Sequence, residues 1–98
     1  EEYEAWQTIQ RAHGIANGLH VVAVNRTGHE NGTDFWGGSF ISGPFGKVLY
    51  QAPHHEEEVK VTTIDLDETE ANRRRWPFLR DRRIDLYHNI TSRYLDHD

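Results

Sequence analysis

The fold is decided by residues 35–51, which read FWGGSFISGPFGKVLYQ. Two runs rich in β-branched and aromatic residues, 35–42 and 47–51, flank a short segment of turn-forming residues. In that segment, residues 43–46, the proline presets its φ angle and the closing glycine can adopt a positive φ. We therefore predict a β-hairpin at the centre of the chain, made of a strand, a tight turn and a second strand.

An amphipathic helix is predicted upstream of the hairpin, over residues 3–17, because apolar residues such as Trp6 recur there at helical spacing. The pair Asn17-Gly18 should end this helix, since both residues tolerate the left-handed conformation of a helix C-terminus. The next run, residues 19–25, is almost continuously apolar, which is typical of a strand buried on both faces. We therefore expect a layer of structure on each side of that strand.

Three further segments are predicted from local composition. Residues 26–34 are polar and rich in turn formers, which indicates a loop. Residues 59–66 predict a fourth strand, since apolar and polar residues alternate at its start. A second helix should begin at a cap on Asp67 or Thr69 and end before Pro77, because proline disfavours helical geometry in the residue that precedes it. The order of elements predicts a layered α+β fold.

The composition limits where the protein can work. The chain has 98 residues, with no cysteine and no methionine. A chain without cysteines has no disulfide framework, which favours a reducing compartment, and we expect a cytoplasmic protein. No apolar run approaches the ~20 residues of a membrane-spanning helix, so we expect no membrane partner. Because the chain opens directly at a predicted helix and has no initiating methionine, we expect it to be a piece of a longer protein.

Charge is distributed unevenly along the chain. Residues 1–70 carry twelve acidic and four basic residues, a net charge of −8, whereas residues 71–98 carry seven arginines and four aspartates, a net charge of +3. The basic segment Arg73–Arg83, which contains Trp76, is typical of a nucleic-acid contact, but arginine is also over-represented in oligomer interfaces. We favour an interface, because a complementary acidic surface lies in the same chain. The alternative is a standalone interaction module that uses Arg73–Arg83 for nucleic acid or an acidic partner.

Four motifs occur in the order found in a known enzyme family. They are 20–28 (HVVAVNRTG), 35–46 (FWGGSFISGPFG), 64–67 (IDLD) with Arg74 behind it, and 80–87 (RDRRIDLY). Together they resemble a core strand, the hairpin, the last core strand and the C-terminal ending of the nitrilase superfamily of carbon–nitrogen hydrolases. The similarity extends to its N-carbamoylputrescine amidase branch through Ala5-Trp6-Gln7 and the strand that ends at Asn25-Arg26.

The resemblance implies a fold and a place within it. The superfamily has a four-layer αββα sandwich, and the four motifs belong to its last third. Residues 1–98 would then be the C-terminal portion of a single hydrolase domain, with residues 80–98 as the C-terminal tail. Tails of this family commonly reach a neighbouring subunit, so the resemblance also implies a homo-oligomer held through the tail, with no nucleic-acid partner.

The resemblance also implies a reaction. Members hydrolyse non-peptide carbon–nitrogen bonds: a cysteine thiolate attacks the carbonyl, a glutamate acts as general base and acid, and a lysine stabilises the oxyanion. For this branch the substrate is an N-carbamoyl amine such as N-carbamoylputrescine, which gives amine, CO2 and ammonia in polyamine synthesis without a cofactor. None of the three catalytic residues can be assigned here, and the chain has no cysteine, so we expect the chain alone to be inactive.

Three residues are candidates for substrate binding: Asn25, Asp34 and Trp36. Asp34 and Trp36 lie where a predicted loop meets a predicted strand, a place where binding residues concentrate, and in the resembled family this region borders the active-site pocket. Trp36 is equally compatible with a core position. Asn25 ends a predicted buried strand, where its amide needs hydrogen-bond partners, so a structural role is the stronger interpretation.

The run His54–Glu58 contains the residue types that bind zinc. Adjacent histidines usually point apart, and no second cluster with ligand spacing accompanies this one. We therefore interpret the run as a solvated connector and expect no metal ion.

Overall fold

The computed structural model describes residues 1–95, and within that range it contains helices, short strands and 3₁₀ turns. In chain order these are α1 (Glu2–Asn17), β1 (Val21–Ala23), β2 (Thr27–Glu30), β3 (Thr33–Trp36), β4 (Phe40–Ser42), β5 (Val48–Gln51), α2 (Asp67–Arg75) and 3₁₀ turns at Ile84–Leu86 and His88–Thr91. Helices combine with antiparallel sheets, which confirms the predicted α+β class.

The strands form two separate antiparallel sheets. β1, β4 and β5 make a three-stranded sheet with β4 in the middle, while β2 pairs with β3. In the larger sheet Val22 lies opposite Ile41, and Ile41 lies opposite Tyr50, with a shift of register after Ile41. The pairing of β4 with β5 around the turn confirms the predicted hairpin, which extends over residues 40–51 and not over the predicted 35–51.

Helix α1 covers one face of the three-stranded sheet. The Trp6 ring meets the Phe40 ring edge-on with centroids 5.6 Å apart, and Phe40 is only 1% exposed. Helix and sheet approach closely, because a Cβ placed on Gly14 would lie 2.9 Å from the Val21 side chain. The helix ends as predicted at Gly18, whose φ of 64° is the left-handed value of a C-terminal cap.

The opposite face of the same sheet is largely exposed. Side chains alternate between the two faces of a strand, so Ala23 lies on the α1 side with Val21 and is buried. Val22 and Val24 point the other way and are 62% and 84% exposed. Within residues 1–95 no helix or strand packs on them. The prediction that residues 19–25 are buried on both faces is therefore wrong for this chain by itself, and β1 is also shorter than predicted.

A second hairpin takes the place of the predicted loop at 26–34. Strands β2 and β3 pair along their whole length, with Gly28 opposite Phe35. Asn31 and Gly32 join them with φ angles of 52° and 79°. Two consecutive positive φ angles make the tight turn whose twist matches that of the flanking strands, so the loop prediction was wrong.

The predicted strand at 35–42 is interrupted. Gly37 and Gly38 have positive φ angles of 57° and 66°, which no extended strand allows. The residues before the two glycines therefore belong to β3 and those after Ser39 belong to β4.

Residues 59–66 do not form the predicted fourth strand. Val59 and Val61 are almost fully exposed. Lys60 Nζ lies 5.2 Å from the centre of the Tyr50 ring, which places this segment over a face of the sheet rather than along its edge. A strand needs the free backbone groups of a neighbouring edge alongside it, and this segment does not pair with the free edge of either β1 or β5.

Helix α2 ends at Arg75 as predicted but begins differently. Leu66 occupies the capping position without a side-chain hydrogen bond, so the predicted cap by Asp67 or Thr69 is wrong. Instead, the Asp67 backbone nitrogen donates to Asp65 Oδ1 at 2.9 Å. The helix carries acidic residues in its first turn and arginines in its last, an arrangement that its dipole favours.

The predicted tail, residues 80–98, is described as far as residue 95. It contributes the two 3₁₀ turns and carries exposed apolar side chains, among them Ile84 and Ile90. Residues 96–98 of the predicted tail lie outside the described range. Over residues 1–95, no helix is long and apolar enough to cross a membrane.

Candidate functional site

Two adjacent glycines form the point where several segments of the chain meet. The Gly37 nitrogen donates to the Arg26 carbonyl at 2.9 Å, and the Gly38 nitrogen donates to the Pro53 carbonyl at 3.3 Å. A Cβ placed on Gly37 would lie 2.5 Å from the His54 carbonyl oxygen, so only glycine fits there. The glycine pair therefore joins the end of β1, the β2–β3 hairpin and the connector after β5.

Helix α1 reaches the same point through Tyr3. The Tyr3 hydroxyl donates to the Gly38 carbonyl at 2.9 Å, and its ring lies so close that a Cβ on Gly38 would be 2.5 Å from it. Partial burial raises the pKa of the Tyr3 phenol above its usual value. The hydroxyl therefore stays protonated, and remains a donor, throughout the neutral pH range.

Asn25 has the structural role that its position predicted. Its Nδ2 donates to the Gly37 carbonyl at 2.9 Å, and its Oδ1 accepts from the Arg26 backbone nitrogen at 2.9 Å. The Asn25 backbone nitrogen also donates to Ser39 Oγ at 2.8 Å. Each side-chain atom thus has one main-chain partner and keeps one further hydrogen-bonding capacity.

Trp36 is half-buried and fixed through its backbone. The Trp36 carbonyl lies 2.6 Å from His54 Nδ1. A carbonyl can only accept, so Nδ1 carries the proton in this arrangement. The His54 ring also meets Tyr3 edge-on at 4.7 Å. The Trp36 indole nitrogen is buried without a partner among the described residues, so one strong donor beside the hairpin is unused.

Asp34 is the most exposed of the three candidates, with a side chain 88% accessible. Its Oδ1 lies 2.6 Å from Nδ1 of His29, the residue directly opposite it in the β2–β3 hairpin. Two other contacts brace this hairpin: Arg26 forms an ion pair with Glu30, and its guanidinium lies 4.1 Å from the centre of the Phe35 ring. The carboxylate of Asp34 is thus held at the surface by a strand pairing rather than by a loose loop.

The structure brings all three candidates together. Asn25, Asp34 and Trp36 line one cleft of 240 Å³, along with Thr33 and Phe35. Asn25 also borders a neighbouring cleft of 430 Å³, whose far wall carries Glu56, Glu57 and Glu58. The two clefts therefore adjoin at Asn25 and have carboxylates on both sides.

Sequence reasoning missed the acidic wall. The run Glu56–Glu58 was interpreted as a solvated connector, and its side chains are indeed exposed, but it also borders the larger cleft. The only sequence feature that could have indicated this wall is the position of Glu56–Glu58 directly after Pro53 and His54, the residues that contact Gly37 and Gly38. His54, which opened the suspected metal cluster, points to Trp36 and Tyr3 instead. In the part of the chain that the structure describes, no three metal-ligating side chains converge.

Comparison with known proteins gives a consistent result. The family model described as carbon-nitrogen hydrolase matches residues 3–74. An N-carbamoylputrescine amidase of Oryza sativa subsp. japonica is 39% identical over 92 residues, which cover 86% of this chain and 31% of the relative. A citrullinase of Francisella tularensis subsp. tularensis is 33% identical over 93 residues, which cover 91% of this chain and 32% of the relative.

A solved structure extends the likeness to three dimensions. The crystal structure of a carbon-nitrogen hydrolase from Helicobacter pylori G27 superposes with a TM-score of 0.85 at 45% sequence identity, over 96% of this chain and 34% of that one. This chain spans about a third of the length of the curated relatives it matches, 31% and 32% for the two named above.

The glycine pair generates a stability prediction. Gly37→Ala places a methyl group against the His54 carbonyl and should destabilise the protein by about 3 kcal/mol or more. Gly32→Ala is the matched control: its φ of 79° is also positive, but no atom lies within 4 Å of the new Cβ. The control should cost only about 1–2 kcal/mol, the price of a left-handed alanine. Denaturant unfolding of both variants measures the difference, and equal losses would show that the close approach is unimportant.

Proposed function

This chain belongs to the carbon-nitrogen hydrolase family, and on that premise we propose that it forms the C-terminal portion of an amidohydrolase domain. Residues 80–98 are the tail of that domain. The proposal is supported by the family match over residues 3–74 and by the chain's coverage of a third of its relatives. It also gives the exposed sheet face around Val22 and Val24 a partner, the remainder of a four-layer αββα sandwich.

The enzyme hydrolyses a non-peptide carbon–nitrogen bond with a cysteine nucleophile, a glutamate base and a lysine that stabilises the oxyanion. This chain contains no cysteine, so the thiolate comes from outside residues 1–98. The present residues supply one wall of the pocket: the cleft bordered by Asn25, Asp34 and Trp36. Its shape depends on the contacts at Gly37 and Gly38.

The substrate is an N-carbamoyl amine such as N-carbamoylputrescine, which is hydrolysed to the amine, CO2 and ammonia. Such a substrate has a neutral carbamoyl group at one end and a protonated amine at the other. The observation that carries this choice is the identity to N-carbamoylputrescine amidase, 39% over 86% of the chain. The carboxylates around the clefts, Asp34 and Glu56–Glu58, suit the cationic end. Trp36 offers an apolar wall for the methylene chain.

The direct test of this function uses the complete protein that carries the chain. It should release ammonia from N-carbamoylputrescine, whereas the 98-residue chain alone should release none, because it has no thiol. A coupled ammonia assay measures both. Ammonia release by the chain alone would contradict the need for an external cysteine. Turnover of citrulline by the complete protein in preference to N-carbamoylputrescine would contradict the substrate.

The position of Asp34 in the hairpin-side cleft leads to a further prediction about substrate binding. Asp34→Asn should raise KM for N-carbamoylputrescine roughly three- to tenfold, because one carboxylate facing the protonated amine is lost. The KM for N-pentylurea, which has a methyl group in place of the ammonium, should stay unchanged. Asp67→Asn is the matched control, since it removes an exposed carboxylate on α2 that makes no side-chain hydrogen bond within residues 1–95. An equal rise in KM for both substrates would mean that Asp34 maintains the shape of the cleft and does not interact with the charged amine of the substrate.

The tail serves assembly. Ile84 and Leu86 are exposed in this chain, and a neighbouring subunit can cover them. Arg83 pairs with Asp85 through two hydrogen bonds, of 3.1 and 2.9 Å, which hold the pKa of Asp85 below its usual value. Arg82 is tied to the Leu79 carbonyl by its Nε at 2.7 Å, so its terminal nitrogens remain for a partner.

Replacing Arg82 and Arg83 by alanine in the complete protein should therefore lower its sedimentation mass, because the tail loses both the contact and its fixed shape. Lys47→Ala with Lys60→Ala removes the same charge from the sheet side and should leave the mass unchanged. If the arginine variant keeps its mass while the wild type binds RNA or DNA with steep salt dependence, the nucleic-acid module is the better account.

A further inference from the structure

A third pocket lies at the other end of β1 from the hairpin cleft, the cleft that Asn25, Asp34 and Trp36 line. Its volume is 310 Å³, and it opens between the C-terminal end of α1 and the segment that follows α2. Asn17 contributes one wall, and Arg73, Arg74 and Arg80 contribute the rim. None of these residues borders the hairpin cleft or belongs to the proposed reaction, so the pocket needs a separate explanation.

The three guanidinium groups differ in how they are held. Arg73 lies across Gly18 and donates from Nε to the Asn17 carbonyl at 3.1 Å, which fixes its direction. Arg74 donates from Nε to Glu70 Oε1 at 3.1 Å. The hydrogen bonds and ion pairs of residues 1–95 leave the Arg80 guanidinium unused. Glu70 is the single carboxylate on the rim, so the pocket has an excess of two positive charges.

The floor of this pocket is apolar. Trp76 is 49% exposed, and its ring meets Phe45 edge-on at 4.8 Å and lies tilted at 47° against Phe78 at 5.7 Å. Pro77 and Leu79 extend the apolar surface beside it. A half-exposed indole that packs on two other rings offers a flat face on which a ring or a hydrocarbon chain can stack.

We propose that this pocket binds a small organic phosphate monoester. The phosphoryl group carries a charge of about −1.5 to −2 at neutral pH, which matches the excess charge of the rim. Guanidinium groups bind phosphate oxygens in pairs of parallel hydrogen bonds, and Arg73, already fixed by Asn17, is preorganised to do so. The organic part of the ligand lies on the Trp76 floor. Binding here joins α2 to the end of α1.

Calorimetric titration of the complete protein tests the proposal, with adenosine monophosphate and inorganic phosphate as probes at constant ionic strength. Adenosine monophosphate should bind saturably and more tightly than inorganic phosphate, because only the nucleotide covers Trp76. Arg80→Gln should weaken its binding about tenfold or more, the usual effect of losing a charged hydrogen bond. Arg93→Gln removes the same charge from the tail, outside the pocket, and should leave binding unchanged.

A second variant separates a loss of binding from a loss of folding. Arg74→Lys keeps the charge but loses the paired geometry, and it too should weaken nucleotide binding while leaving the melting temperature near that of the wild type. Two kinds of result would overturn the proposal. One is no saturable binding of either probe, or equal weakening by Arg80→Gln and Arg93→Gln, which would mean a solvated basic surface. The other is tight, salt-sensitive binding of an RNA oligonucleotide without binding of the mononucleotide, which would mean a nucleic-acid contact.

Discussion

The close approach of main chain to main chain at Gly37 and Gly38 is the constraint on which the rest of the structure depends. At Gly37 the space for a side chain is filled by the His54 carbonyl, and at Gly38 it is filled by the Tyr3 ring. Both glycines also need positive φ angles, which favour glycine over other residues. Sterics and backbone conformation thus require the same residue at both positions, and the polypeptide turns there from one sheet into the other.

This contact links the fold to the candidate site. A two-stranded hairpin is marginally stable by itself, so β2 and β3 depend on their attachment at Trp36, Gly37 and Asn25. Each hydrogen bond at that attachment contributes about 1 kcal/mol, and together they orient the hairpin over the clefts. Asn25 has both a structural position and a position at the candidate site. Its side chain donates a hydrogen bond within the junction, and it also borders both clefts.

The sequence predicted the features that depend on neighbouring residues. The end of α1 at Gly18, the turn between β4 and β5, and the end of α2 before Pro77 all follow from local backbone preferences, and they are confirmed. The β2–β3 hairpin was missed although Asn31-Gly32 is a strong hairpin turn, because the flanking residues lack an apolar alternation. The strand prediction for residues 59–66 was wrong for the opposite reason. The apolar alternation is present, but a strand also has to lie alongside a free sheet edge, which local sequence does not reveal.

The residues of the candidate site also fall into those that the sequence could indicate and those that it could not. Asn25, Asp34 and Trp36 could be found because each sits where a strand ends or begins. The acidic wall at Glu56–Glu58 could not, since an acidic run has the same composition whether or not it borders a cleft.

The most direct test of the central constraint is amide hydrogen exchange at Gly37 in the complete protein. Its nitrogen donates to the Arg26 carbonyl inside the junction, whereas Gly32 lies at the open tip of the hairpin, where a Cβ would have no atom within 4 Å. If the junction holds the structure together, the Gly37 amide should exchange only on global unfolding, orders of magnitude more slowly than that of Gly32. Exchange at Gly37 as fast as at Gly32 would contradict this account.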